Sequence, residues 1–298
     1  MQGLQVKGLQ LAEDYYRIYG APMIAEHFAP YAERIAIGFA GAGSECFGFD
    51  DEVSQDHDWG PAFCIWLTED DFTIIGADLQ RAYEALPPTF LGYGPRVASP
   101  GEGYRTGVTK TTTFYRTYTG LDHPPATQEE WRSIPEQALA VCTNGKVFSD
   151  PLGAFTAFRQ KLLAFYPDEV RLKKLASYCM TASQAGQYNY PRSHKRGDTF
   201  VARYAEVKFC ADIIFLVFLL NRRYAPFYKW MYRAVKELPL LGETIYRMIA
   251  DLTREAEFSR KVAFIEEICA RIIGELRAEG LSDKTSSFLF DHAKDLHL

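Results

Sequence analysis

From Pro151 almost to its end the chain repeats apolar residues at three- and four-residue intervals, in segments 152–165, 168–188, 199–222, 225–237, 242–254 and 258–279, with Pro or Gly between them. Short apolar runs of the kind that make buried strands occur only earlier, at Arg34 to Ala40 and Ala62 to Leu67. This segregation predicts an α+β chain: a small mixed-sheet domain over residues 1–150, then a helical bundle over 151–298. In the first part, Leu9 to Tyr31 predicts two short helices broken near Gly20 and Pro22. Thr68-Glu69-Asp70-Asp71 predicts a helix start, with Pro87-Pro88 stopping that helix after Leu86. Residues 89–106 read as a Gly- and Pro-rich loop, Tyr104 to Val108 as a third strand, and Val141 to Phe148, turning at Asn144-Gly145, as a hairpin or further strand. The helix over 199–222 is apolar on nearly every side from Phe209 to Leu220, which predicts the buried centre of the bundle, with Lys208 and Asp212 spaced to pair on one face.

A chain of 298 residues with 47% hydrophobic and 24% charged residues can bury a sizeable core, which excludes a disordered or collagen-like chain. Its longest uninterrupted apolar run, Ile213 to Leu220, is too short to cross a bilayer, and the first residues lack the basic and apolar pattern of a secretory signal. Six dispersed cysteines without a Cys-x-x-Cys pair point to free thiols in a reducing compartment, so the cytoplasm is the expected location and no membrane partner is expected. Charge is uneven: residues 1–150 hold 10 Lys or Arg against 21 Asp or Glu, whereas residues 151–298 hold 23 against 17. The chain as a whole is acidic, at −5, and shows no long basic face, so nucleic acid is an unlikely partner.

The densest chemistry lies between Gly41 and Asp58. A buried strand runs into Gly41-Ala42-Gly43-Ser44, eleven residues intervene, and Asp56-His57-Asp58 precedes the next strand. Gly43 lets backbone amides approach a phosphate and Ser44 adds a hydroxyl donor. If the chain is extended there, Asp56 and Asp58 share a face and His57 points away. Two adjacent carboxylates repel, and a hard cation, Mg2+ or alternatively Mn2+, relieves that repulsion while keeping sites for substrate phosphates. The order of acids does not fit a calcium loop, and no Gly-x-Ser-x-Gly elbow marks Ser44 as a nucleophile.

Gly43-Ser44 followed by Asp56-His57-Asp58 resembles the signature of the DNA polymerase β-type nucleotidyltransferase superfamily. The longer string from Gly43 to Pro61, with Asn144 to Asp150 and Leu220 to Trp230, looks like an uncharacterised bacterial family of that superfamily. The resemblance implies a nucleotidyltransferase that moves a nucleoside monophosphate from a nucleoside triphosphate to a hydroxyl or other nucleophile of a small-molecule or macromolecular acceptor. It implies Asp56 and Asp58 as metal-binding catalytic residues and Gly43 and Ser44 as the phosphate grip. Asn221, Arg222 and Lys229, in or beside a basic turn, are the candidate nucleotide contacts of the helical part. The sequence departs from the signature in Trp59-Gly60-Pro61 behind the aspartates, and in offering only Glu102 as a third carboxylate between residues 85 and 121. These departures define the alternative, a catalytically degenerate nucleotide-binding or regulatory protein of the same fold.

Overall fold

The computed structural model describes residues 6–55, 58–97 and 105–297. It is a mixed α+β chain that divides into two compact units, residues 1–126 with 133–164 and residues 127–132 with 165–298. The first unit therefore runs on past Asp150.

That unit opens with α1 (Gly8–Tyr15), which passes through a wide π-type turn at Tyr16–Gly20 into α2 (Ala21–His27). The predicted break is absent because Pro22 falls in the first turn of α2, where a missing N–H costs little. Strand β1 (Ala36–Phe39) follows, then β2 (Cys64–Leu67), α3 (Glu69–Glu84), β3 (Gly107–Lys110) and α4 (Thr111–Thr119). The short α5 (Gln128–Ser133) belongs to the second unit but for Ser133, and the first unit resumes with α6 (Glu136–Thr143), β4 (Lys146–Ser149) and α7 (Ala154–Leu163). Val141 to Thr143 are thus helical rather than extended, as the good helix formers of Glu-Gln-Ala-Leu-Ala favour.

The sheet order is β3-β2-β1-β4, with β2 and β3 parallel and the other pairs antiparallel. Ile37, Phe63, Ile65 and Leu67 pack against Leu11, Tyr15, Ile24, Ile75 and Leu79 in one apolar core. Trp66 belongs to the opposite face, where it stacks on Phe155 at 3.7 Å and meets the edge of Phe114. Helix α3 starts as its sequence predicts. The Thr68 hydroxyl accepts from the Asp71 amide at 3.2 Å and donates to the Asp71 carboxylate at 2.8 Å, a reciprocal cap that Arg34 reinforces at 2.9 Å. Burial opposes the charge of Asp71, but Arg34 and Thr68 together hold its carboxyl below the ordinary range. A carboxyl lowered on folding contributes stability above its unfolded value and loses it in acid. Asp71→Asn should accordingly cost about 1 kcal/mol at neutral pH, a modest figure because Arg34 is half exposed, and the deficit should fade below about pH 4. Urea unfolding of both proteins across that range checks it; a deficit that persists in acid would refute the assignment.

The second unit holds α8 (Asp168–Ser183), a π-type turn at Gln184–Asn189, α9 (Tyr190–Lys195), α10 (Thr199–Leu220), α11 (Tyr228–Val235), α12 (Gly242–Arg254), α13 (Phe258–Ala278) and α14 (Leu289–Ala293). From Phe209 to Leu220 α10 is the buried centre expected, and Lys208 pairs with Asp212 at 2.6 Å. Its first third, in contrast, carries several exposed large side chains. Buried Arg171 ties α8 to the end of α10 and to Glu279, donating to the Leu219 carbonyl at 3.0 Å and to the carboxylate at 2.8 Å. Among the described residues no helix is long and apolar enough to cross a membrane.

Candidate functional site

Strand β1 ends at Phe39 and the chain turns through Gly41, whose φ of +149° only glycine adopts readily. The side-chain amide of Asn144 clamps this turn, accepting from the Gly41 N–H at 3.2 Å and donating to the Gly41 carbonyl at 2.7 Å. Gly145 adds a hydrogen bond from its N–H to the Cys46 carbonyl at 2.8 Å. The Asn144-Gly145 turn before β4 therefore holds the glycine loop in place across the sheet.

The acids of the loop have separate employments. Asp50 is buried and receives the Gly8 N–H at the start of α1 at 2.7 Å, where a carboxylate complements the helix dipole. Asp51 closes its own turn, accepting from the Val53 and Ser54 amides at 3.1 and 3.2 Å. Glu45 and Asp58 are buried and share one arginine. Arg96 lies 2.6 Å from Glu45 and 2.8 Å from Asp58, and Arg105 approaches the other Asp58 oxygen at 2.9 Å. Burial works against the charge of Arg96, yet the two carboxylates raise its pKa above the ordinary arginine value. Two anions and two cations thus close a neutral cluster under the loop.

The geometry assumed for the aspartate pair does not hold at Asp58. Its φ is +48°, a left-handed rather than extended conformation, and its N–H donates to the Val97 carbonyl at 2.9 Å. Gly60, at φ +145° and packed against the Gly94 carbonyl, and Pro61 keep the chain irregular until β2 begins at Cys64. Asp56, His57 and Glu102 lie outside the described residues. Strand β3, Gly107-Val108-Thr109-Lys110, offers no carboxylate. Gly43 packs closely on Glu45: a Cβ there would fall 2.4 Å from the Glu45 carboxylate, and the Ser44 hydroxyl lies 3.5 Å from the same group.

These residues bear directly on a divalent cation. Both oxygens of Asp58 face guanidinium groups, and among the described residues no group of three His, Cys, Asp or Glu is placed to hold a metal ion. Asp58 as arranged serves two arginines, and Asp56, the other carboxylate of the expected Mg2+ pair, lies outside the described residues.

Beside the loop opens a cleft of about 650 Å³ on the Trp66 face of the sheet. Ala42 and Arg105 stand on its wall with the hydroxyls of Thr109, Thr113 and Tyr118, and with Thr117, whose hydroxyl donates to the Thr113 carbonyl at 2.8 Å. Burial pushes the Tyr118 hydroxyl up to about 12, so it stays protonated and able to donate at neutral pH. Cys64, also on the wall, is pushed up to about 12 by burial and donates to the Arg105 carbonyl at 3.4 Å, a structural thiol rather than a nucleophile. Sequence reasoning missed both arginines because they lie within the stretch 89–106, read as plain loop. They are, however, the only cations between Arg81 and Lys110, which is the available signal.

The remaining candidates belong to the second unit. Asn221 is a structural clip: its amide donates to the Val217 and Leu240 carbonyls at 2.7 and 2.9 Å and accepts from the Leu240 N–H at 2.9 Å. Arg222 forms an exposed pair with Asp168 at 3.1 Å. Lys229 is exposed and lies 4.4 Å from the Trp230 ring centre.

Residues 131–231 match the family described as Domain of unknown function (DUF4037). No curated protein matches the chain. Among solved structures the chain is similar to a nucleotidyltransferase-like protein from Exiguobacterium sibiricum 255-15, at 11% identity and a TM-score of 0.38, over 95% of this chain and 88% of that one.

Proposed function

We propose that the chain is a nucleotidyltransferase that takes a nucleoside triphosphate into the cleft beside the glycine loop. The observation that carries this reading is the position of Arg105, which pairs with Asp58 and also lines the cleft between Ala42 and the threonine hydroxyls. A guanidinium shared in this way offers incoming phosphates a charged fork, with threonine hydroxyls to orient them. In the reaction the acceptor oxygen bonds to the α-phosphorus as the bond to the bridging oxygen breaks. Pyrophosphate leaves, and the hydroxyl proton passes to water. Positioning and charge neutralisation supply most of the rate in such transfers. The acceptor is a hydroxyl-bearing molecule, small or macromolecular.

A second reading is favoured by a specific observation. Arg96 neutralises Glu45 and Asp58 together, and β3 carries no acid, so a degenerate nucleotide-binding protein would keep the cleft and lack turnover. Calorimetric titration of ATP, CTP, GTP and UTP, with and without Mg2+, paired with a pyrophosphate assay, separates the two. The transferase reading expects one triphosphate to bind wild type, Arg105→Gln to weaken it about tenfold, and Asp58→Asn to lower pyrophosphate release about a hundredfold or more. Binding indifferent to Mg2+ and without pyrophosphate would select the second reading. Failure of every triphosphate to bind would overturn both.

A further inference from the structure

Aromatic side chains at the frequency found in this chain usually belong to the core, yet those ahead of the buried part of α10 stand in water. Phe200 is 79% exposed, Tyr204 63% and Val207 65%, and their spacing of four and three residues sets them in one stripe along the helix. Tyr188, 43% exposed, carries the Arg192 guanidinium flat above its ring, 3.6 Å from the ring centre. Helix α9 and the turn after it add exposed Lys195 and Arg196, and Arg203 is exposed one turn along from Phe200. The acids of this segment are already engaged. Asp198 caps α10 through the Val201 N–H at 3.2 Å, and Glu206 holds Lys261 at 2.6 Å. With four cations against two acids between residues 188 and 207, and planar rings among them, the surface is apolar and positive together.

We infer that this face of the second unit binds single-stranded RNA. Phosphates answer the cations, and unpaired bases have flat faces to stack on Phe200, Tyr204 and the Arg192 guanidinium. An apolar protein surface would match the rings and leave the cations without partners, and an anionic bilayer would meet the cations with its headgroups but offer the rings no flat faces to stack on. A duplex, whose bases are already stacked, would match the cations and leave the rings idle. The preference for ribose rests on the neighbouring hollow of about 390 Å³, where the Thr199 hydroxyl, His194 and Arg203 stand with the Glu206 and Glu255 carboxylates, which turn phosphates away and accept from a hydroxyl. A 2′-hydroxyl both donates and accepts hydrogen bonds there, and deoxyribose brings neither group. Net charge by itself points away from nucleic acid, but a local basic and aromatic face is compatible with an acidic chain as a whole.

The test is fluorescence anisotropy of the full chain with a labelled single-stranded RNA of about 20 nucleotides, at salt between about 50 and 200 mM. The inference expects affinity that falls as salt rises. Phe200→Ala/Tyr204→Ala should weaken binding about tenfold with the salt slope unchanged, and Lys195→Gln/Arg196→Gln should lower the slope by about two. All four side chains are exposed, so urea unfolding should find both variants as stable as wild type. Equal affinity for DNA of the same sequence would overturn the assignment to RNA. An aromatic variant that binds as wild type would reduce the face to a non-specific polyanion surface and overturn the stacking. Binding to anionic phosphatidylserine vesicles in place of RNA, or self-association with no RNA binding, would assign the face to a membrane or to a second copy and overturn the inference.

Discussion

Replacing Arg96 by methionine should destabilise the first unit by about 3–5 kcal/mol, the usual result of removing one partner from a buried ion pair. The cause is chiefly the buried carboxylate charge that the guanidinium would no longer neutralise. Among the described residues Glu45 would keep the Ser44 hydroxyl at 3.5 Å as its side-chain partner, and Asp58 would keep Arg105. Methionine preserves the aliphatic volume against Phe39, over whose ring the guanidinium now lies at 5.3 Å, so little of the loss would come from packing. Adding Glu45→Gln to Arg96→Met should recover part of the stability, because one of the two stranded charges is then gone, whereas Glu45→Gln alone should cost less than Arg96→Met. Urea unfolding of the four proteins closes this cycle. A cost below about 1 kcal/mol for Arg96→Met would put the cluster on a par with surface pairs and remove it as the organising feature of the site.

The other large effect belongs to Gly145. Alanine there should cost more than about 3 kcal/mol, from two sources that a control separates. The φ of +63° is left-handed, which costs a side chain about 1–2 kcal/mol wherever it occurs. In addition, a Cβ would stand 2.0 Å from the Phe39 carbonyl oxygen and 2.9 Å from the Ala40 Cα, both backbone atoms of the strand end that leads into the glycine loop. Neither atom can move without opening the pairing of β1 with β4. Gly153 has a similar φ of +74° with nothing near its Cβ position, so Gly153→Ala should show the dihedral cost alone. Equal losses from the two substitutions, measured by denaturant unfolding, would show that the close approach of the Asn144-Gly145 turn does not matter. A larger loss at Gly145, accompanied by weaker triphosphate binding, is the expected result if this turn holds the loop in its working shape.

Much of the secondary structure was readable in the chain because its causes are local. The alternation into helices after Pro151, the cap at Thr68 with Asp71, the all-round apolar stretch from Phe209 to Leu220 and the Lys208–Asp212 pair depend on residues three or four apart. The strands at Ala36–Phe39 and Cys64–Leu67 were visible as apolar runs, and the turn of Gly41 to Ser44 as glycine chemistry. What a side chain meets across the fold was not readable in this way. That Arg96 would reach Glu45, Asn144 would clamp Gly41, Asn221 would close on Leu240 and Asp58 would adopt a left-handed φ all follow from elements distant in sequence being brought together. Burial at single positions is equally a property of the assembled unit: the local pattern marks Phe209 onward as buried but does not say whether Phe200, in the mixed first third of the same helix, is covered, and it stands in water. The chain's local preferences thus determined its helices, strands and caps. Only tertiary packing decided which charges neutralise one another and which rings stay exposed, because those outcomes depend on distances that sequence spacing does not contain.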